Sequence, residues 1–469
     1  MPAEDPQRYH ICSICHNLTP EGKEFCQYCW GQFLPDVLVG REEGERIAQE
    51  FQGTKRRKKR NKRLVITGIS VLFVLVILLT SLGKYTDVFS PLDLVLNSAS
   101  TAGKWNMFRH DLLHSGSSGS DDTVLQGQLI ATYSTGGAIL SSPAVAGKTV
   151  YFGSQDGNVY AFSTVSGSKV WAFQTGSFVW ASPVVVDGVV YIGSNDGFFY
   201  ALDAGTGKKL WSFNANYPVM GAAAVAGGLV YFGADDSHCY ALDIRTGKKV
   251  WSFKTGSQVR ASPVVANGIV YVASSDGNLY ALGAKDGKFR LHFYSAPIAS
   301  SPLVSGSTVY FCNDNGLLFS IDGKARNWPF EYDIRPIWMQ MWAMYLAPKP
   351  PGISGLNWGF RIGGSNNSSP AIAGQNIFIG VDKSLIAFNT QTQKILWSFL
   401  TGGQVSSSPA VADGTVYFGS EDGNIYAVDA VSGKELWHIS TGGKVESSPA
   451  VVDGVLYVGS DDGKLYVIK

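Results

Sequence analysis

Along most of the chain apolar and polar residues alternate with a period of two, and the alternation is broken every few positions by Asp-Gly, Asn-Gly or Ser-Gly. The segment SSPAVADGTVYFGSEDGNIYAVDAVSGKELW, Ser407 to Trp437, shows the pattern well. Side chains of a strand point alternately to its two faces, so this alternation predicts short strands with one covered face. Asp-Gly supplies the positive φ angles that two-residue hairpins need. Three such turns in one segment predict four strands.

The segment is a repeat. Its Ser-Pro landmark recurs at Pro143, Pro183, Pro263, Pro302, Pro370, Pro409 and Pro449, with Ala223 in the same place of a degenerate copy. The steps are 40, 40, 40, 39, 68, 39 and 40 residues, giving eight units with one insertion of about 28 residues. Fourteen residues past the landmark stand Gly157, Gly197, Gly277, Gly316, Gly423 and Gly463, mostly preceded by Asp. Those aspartates read as turn formers rather than metal ligands, because they recur in unit after unit. Twenty-eight residues past the landmark stand Trp171, Trp211, Trp251 and Trp437, with Trp397 one residue early and Leu291 and Phe330 in weaker copies. A flat residue at a recurrent position packs one unit on the next. A period near 40 with four strands is a propeller blade, and the alternation excludes a helical solenoid. The last unit ends at Lys469, before any Trp strand, so Leu129 to Thr135 (LIATYST) is expected to supply its fourth strand and close the ring.

One stretch departs from the alternation. Leu64 to Leu82 is nineteen residues without a charge, directly after KRRKKRNKR at residues 55–63. At ~1.5 Å per residue it would extend about 28 Å, close to a hydrocarbon core, which predicts a transmembrane helix over residues 64–83. The 63 residues before it fit a signal-anchor better than a cleaved signal peptide. Lys and Arg are retained on the cytoplasmic side, so the N-terminus is expected inside and the repeats outside the cell membrane. The basic run is then a topology determinant that meets anionic head groups, rather than a nucleic-acid patch. It also explains a formal net charge of only +1, since its eight basic residues offset an acidic remainder. Charged residues make up 16% and glycine numbers 54, a composition that excludes a disordered chain or charged coiled coil and agrees with many tight turns.

The head carries Cys12-x2-Cys15 and Cys26-x2-Cys29. Each pair forms a knuckle, and four sulfur ligands suit tetrahedral zinc. The alternative, disulfides, conflicts with a reducing cytoplasm. With all four positions filled by Cys the zinc is expected to be structural. The expected organisation is therefore a zinc ribbon at 1–35, a basic linker at 36–63, the membrane helix at 64–83, a linker and leader at 84–128, and an all-β, eight-bladed propeller at 129–469 with an aromatic insertion at 324–358. The ribbon resembles small heads found on prokaryotic membrane proteins; its partner is left open.

YALDAGTGKKLWSF followed by ASPVVVDGVVYIGSNDG resembles the PQQ-type propeller repeat, and KWNMFRHDLLHSG (Lys104 to Gly116) resembles the leader before such propellers. The resemblance implies one of two classes: quinoprotein dehydrogenases, which hold pyrroloquinoline quinone and Ca²⁺, or the scaffold that assists outer-membrane β-barrel assembly. The enzymes commonly carry adjacent cysteines over the cofactor; here Cys239 and Cys312 lie far apart, and the units are too uniform for a catalytic site. The expectation is a non-catalytic binding protein without PQQ, taking a protein or peptide partner and no nucleic acid on the propeller. A transmembrane sensor reporting to the ribbon is the third reading. The insertion breaks the symmetry: between Pro336 and the prolines at 348–351, residues Ile337 to Leu346 predict a short helix bearing Trp338, Met341, Trp342 and Tyr345. Either it caps the channel or those four form a surface for a partner or for the outer leaflet of the same membrane.

Overall fold

The computed structural model describes residues 8–85, 105–117, 125–364 and 368–469, and the chain divides into two units, 1–83 and 84–469. In the first unit β1 (Arg8–Cys12) lies between β2 (Leu18–Pro20) and β3 (Phe33–Gly40), all antiparallel. A single helix, α1, then runs from Arg41 to Tyr85. It contains both the basic run and the expected membrane stretch. Among the described residues no helix is long and apolar enough to cross a membrane. The expected span at 64–83 is therefore not found among the described residues, and its side chains at 77, 78 and 80–83 lie outside them. Of the linker and leader expected after it at 84–128, residues 86–104 and 118–124 also lie outside them.

Among the described residues the second unit holds eight four-stranded antiparallel sheets, a β-propeller-type fold. Sheet 8 is completed by β4 (Leu129–Ser134), which pairs with the last strand, Lys464–Ile468, in the register Leu465↔Tyr133. Sheet 1 follows: β5 (Ala144–Ala146), β6 (Thr149–Gly153), β7 (Asn158–Ser163) and β8 (Lys169–Gln174). Sheets 2 to 7 repeat this order, starting at Val184, Ala224, Val264, Leu303, Ala371 and Ala410. The first strand of each sheet is innermost, and at seven of the eight junctions, all but that between sheets 5 and 6, it touches its counterpart in the next sheet. A belt of serines joins these inner strands. The N–H of Ser142 donates to Ser182 Oγ at 3.0 Å, and the same bond runs Ser262 to Ser301, Ser301 to Ser369, Ser369 to Ser408, Ser408 to Ser448 and Ser448 back to Ser142. Ala222, in the degenerate unit, donates to Ser262 but offers no hydroxyl to the sheet before it.

The outer strands are joined by tryptophan. Trp171, Trp211, Trp251 and Trp397 donate their indole N–H to Ala204, Ile244, Ala284 and Ala430 of the following sheet at 2.9–3.1 Å. Trp437 bonds Leu125 O in the same way across the closure. The expectation for sheet 5 needs correction. Phe330 does not hold the Trp position; Trp358 does, paired with Ser320 where Trp171 pairs with Ala161. The insertion lies between the third and fourth strands and shifts the spacing. The turn aspartates do more than turn the chain. Asp156 Oδ2 accepts Tyr160 OH at 2.8 Å within its own sheet and Gly136 N at 2.8 Å from the end of sheet 8.

Candidate functional site

Three places depart from the repeat. The first is the cysteine cluster in the first unit. The sulfurs of Cys12, Cys15, Cys26 and Cys29 all lie within 4.8 Å of one another, with Cys12 to Cys29 at 3.4 Å and Cys15 to Cys26 at 3.5 Å, and none is in a disulfide. Four sulfurs at about 2.3 Å from a tetrahedral ion would sit about 3.8 Å apart, so the cluster fits a metal with little adjustment. Backbone N–H groups of Ile14 and Cys15 point at Cys12 Sγ, and that of Tyr28 at Cys26 Sγ, at 3.3–3.4 Å. Burial opposes ionisation of Cys26, yet the N–H groups of Tyr28 and Cys29 and the neighbouring thiols bring it down to about 6. Burial drives Cys15 up to about 12. Burial likewise opposes ionisation of Cys12, yet the N–H groups of Cys15 and Ile14 hold it below its ordinary value, so the site favours negative charge at two sulfurs, and a bound cation would extend that to the others.

The second is the leader, for which the sequence offered a resemblance and no position. Residues 105–117 lie along the inner strands. Carbonyls of Trp105, Asn106, Leu112, Leu113, Ser115 and Gly116 accept N–H groups of Val145, Val185, Val265, Val304, Ile372 and Val411, one from each of six sheets. Arg109 is buried at 3% exposure and donates to the carbonyls of Ser369, Pro370 and Pro409. Burial lowers its pKa to about 9, and burial with the Arg109 charge lowers His114 to about 4, so His114 is neutral. Its Nδ1 lies 3.0 Å from Pro302 O.

The third is the insertion. Its helix, α2, spans Glu331–Ala343, so it starts six residues before the expected Ile337, and Pro336 lies inside it rather than at its boundary. Tertiary contacts set the start. Buried Glu331 accepts from Asn327 Nδ2 at 2.9 Å and Ser354 N at 2.7 Å. Tyr332 OH donates to His292 O at 3.0 Å, and Asn327 Oδ1 accepts His292 N at 2.7 Å. His292 belongs to Phe289–Tyr294, the outermost strand of sheet 4. The insertion therefore docks on the outer edge of the ring, and the expectation that it caps the channel is corrected: the leader, not α2, lies on the inner strands.

Of the four residues singled out, Trp338 is half-buried, with its N–H on Pro348 O at 2.8 Å and its ring 6.5 Å from Trp328. Met341 and Trp342 are exposed and Tyr345 is 96% exposed. Ile334, Ile337, Trp338 and Met341 fall three or four residues apart, on one face, and with Ala347 and Pro348 they line a groove of about 290 Å³. The outer cysteines, Cys239 and Cys312, are buried single thiols, each pushed up by burial. Among the described residues, the four head cysteines are the sole group of three or more Cys, His, Asp or Glu ligands close enough to share a cation.

Comparison with known proteins places this architecture. No curated protein matches the chain. BamB from Moraxella catarrhalis is 20% identical with a TM-score of 0.58, over 72% of this chain and 96% of that one. A europium-containing methanol dehydrogenase is 16% identical with a TM-score of 0.64, over 79% of this chain and 98% of that one. Quinohemoprotein alcohol dehydrogenase from Comamonas testosteroni is 16% identical with a TM-score of 0.65, over 78% and 81%. At these identities the likeness is one of fold. The PQQ-like repeat profile described as outer membrane protein assembly factor BamB matches residues 120–233, 180–346 and 335–469, and the chain belongs to that family.

Proposed function

We propose that the chain is a membrane-anchored, non-catalytic binding platform: an eight-bladed propeller held outside the cell membrane by one helix, with a structural zinc ribbon inside and a role in envelope assembly. The observation that carries the binding reading is α2, a helix pinned at its first turn whose apolar stripe is left uncovered. Soluble domains rarely leave such a stripe exposed without a use for it. Anchoring is supported by Leu64, Leu72 and Phe73, each more than 60% exposed on α1, directly after the basic run. Zinc is supported by the four sulfurs and their N–H donors. The uniform sheets and the leader laid along the inner strands weigh against quinone chemistry.

The test of the non-catalytic reading uses the purified chain with pyrroloquinoline quinone, Ca²⁺ and a panel of alcohols and sugars. No substrate-dependent reduction of an electron-acceptor dye is expected; turnover with any of them would overturn it.

A further inference from the structure

We propose that α2 seats the propeller against an anionic lipid bilayer, with its aromatic stripe in the head-group region. The inference rests on the anchored reading of the chain and names what the exposed stripe meets. Three observations carry it.

The first is the shape of the stripe. Ile334, Ile337, Trp338, Met341 and Trp342 share one side of α2, Tyr345 follows two residues past its end, and all but Trp338 are exposed. Trp and Tyr are the side chains enriched at membrane–water boundaries, because one end of each ring is apolar and the other polar. A helix lying in that plane buries such a face to about 5–10 Å.

The second is charge. Residues 323–355 hold four basic side chains, Lys324, Arg326, Arg335 and Lys349, against two acidic ones. One of the acids, Glu331, is turned inward and bonded to Asn327 and Ser354. Asp333 alone faces out. Lys349 lies 5.9 Å above the Trp342 ring, placing a cation at the margin of the apolar face. An apolar stripe edged by cations complements anionic phospholipid, which attracts Lys and Arg held near its surface.

The third is the tether. Nineteen residues, 86–104, separate α1 from the leader. Even fully extended they reach about 65 Å at ~3.4 Å each. A propeller on such a tether is held permanently close to the bilayer, so a face of modest intrinsic affinity is occupied.

The experiment places a photoreactive amino acid at Tyr345 in the full chain, and a control at Val431, which is 83% exposed in a turn of another sheet. Membranes containing the protein are irradiated, and adducts are identified by mass spectrometry. Phospholipid adducts several-fold more abundant at Tyr345 than at Val431, and reduced in the Arg335→Glu/Lys349→Glu chain, are expected. Protein adducts in their place, or lipid adducts no more abundant than at Val431, overturn the proposal. The anchor is read separately by alkaline extraction. A chain that washes off, yet gives Tyr345 adducts with added vesicles of phosphatidylcholine and phosphatidylglycerol, overturns the anchor and upholds the docking face. A chain that resists extraction without adducts does the reverse.

Discussion

The indole of Trp171 lies on Gly207 of the next sheet, where an added Cβ would stand 2.6 Å from Trp171 Cδ2, and its N–H reaches Ala204 O at 2.9 Å. The same pairing joins Trp211 to Gly247, Trp251 to Gly287, Trp397 to Gly433 and Trp437 to Gly127. Each glycine sits at positive φ and leaves the space the ring needs. Gly207→Ala is therefore expected to lower stability by about 2–5 kcal/mol, combining overpacking with the cost of the left-handed conformation. Gly188→Ala, at φ +76 with nothing within 4 Å of the new Cβ, bears only the conformational cost of about 1–2 kcal/mol. Denaturant unfolding of the two variants separates the terms; equal losses would mean the Trp contact adds nothing.

Arg109 makes a second prediction. Removing its guanidinium leaves three carbonyls without their donor in the interior, so Arg109→Ala should destabilise by more than about 3 kcal/mol. Arg109→Lys should recover only part, because an ammonium cannot reach three separate acceptors as a planar fork does. Thermal unfolding of both variants checks the order.

Acid sensitivity follows from the turn aspartates. Burial alone would raise the Asp156, Asp422 and Asp462 carboxyls, but hydrogen bonds from backbone N–H groups and from Tyr160, Tyr426 and Tyr466 hold all three below the ordinary value. A carboxyl with a lowered folded-state pKa contributes stability above its unfolded value, about 3.9, and loses it as the pH falls through the folded value. Stability should decline below about pH 4. The chain with all three changed to Asn should be less stable at pH 7 and lose less on acidification. An acid limb as steep as that of the unchanged chain would contradict this.

The head should bind metal through its four sulfurs. Cys12→Ser is expected to lose most bound zinc, whereas Cys239→Ser, a buried lone thiol, should leave metal content unchanged. Unaltered zinc in the first variant would remove Cys12 from the ligand set.

The repeat was legible because turn residues and strand alternation are local: Asp-Gly pairs and the Trp positions announce the sheets without reference to the rest of the chain. The same spacing misled at sheet 5, where Phe330 falls at the right distance but Trp358 takes the position, since chain inserted before the fourth strand carries the Trp away from its landmark. The start of α2 could not be read from Pro336, because Glu331 and Tyr332 fix the first turn through bonds to Asn327, Ser354 and His292, residues whose proximity is tertiary. Arg109 stands in no repeat unit, and a lone Arg before the first landmark carries no signal of burial. The cysteine cluster, by contrast, followed from spacing alone.

The proposed anchoring of the propeller outside the membrane by α1 is tested most directly by protease added to intact, right-side-out membrane sacs. Digestion at 86–104 that frees the propeller, with the cysteine head protected until the sacs are opened, is the predicted result. A protected propeller, or a head cleaved together with it in sealed sacs, would contradict the account.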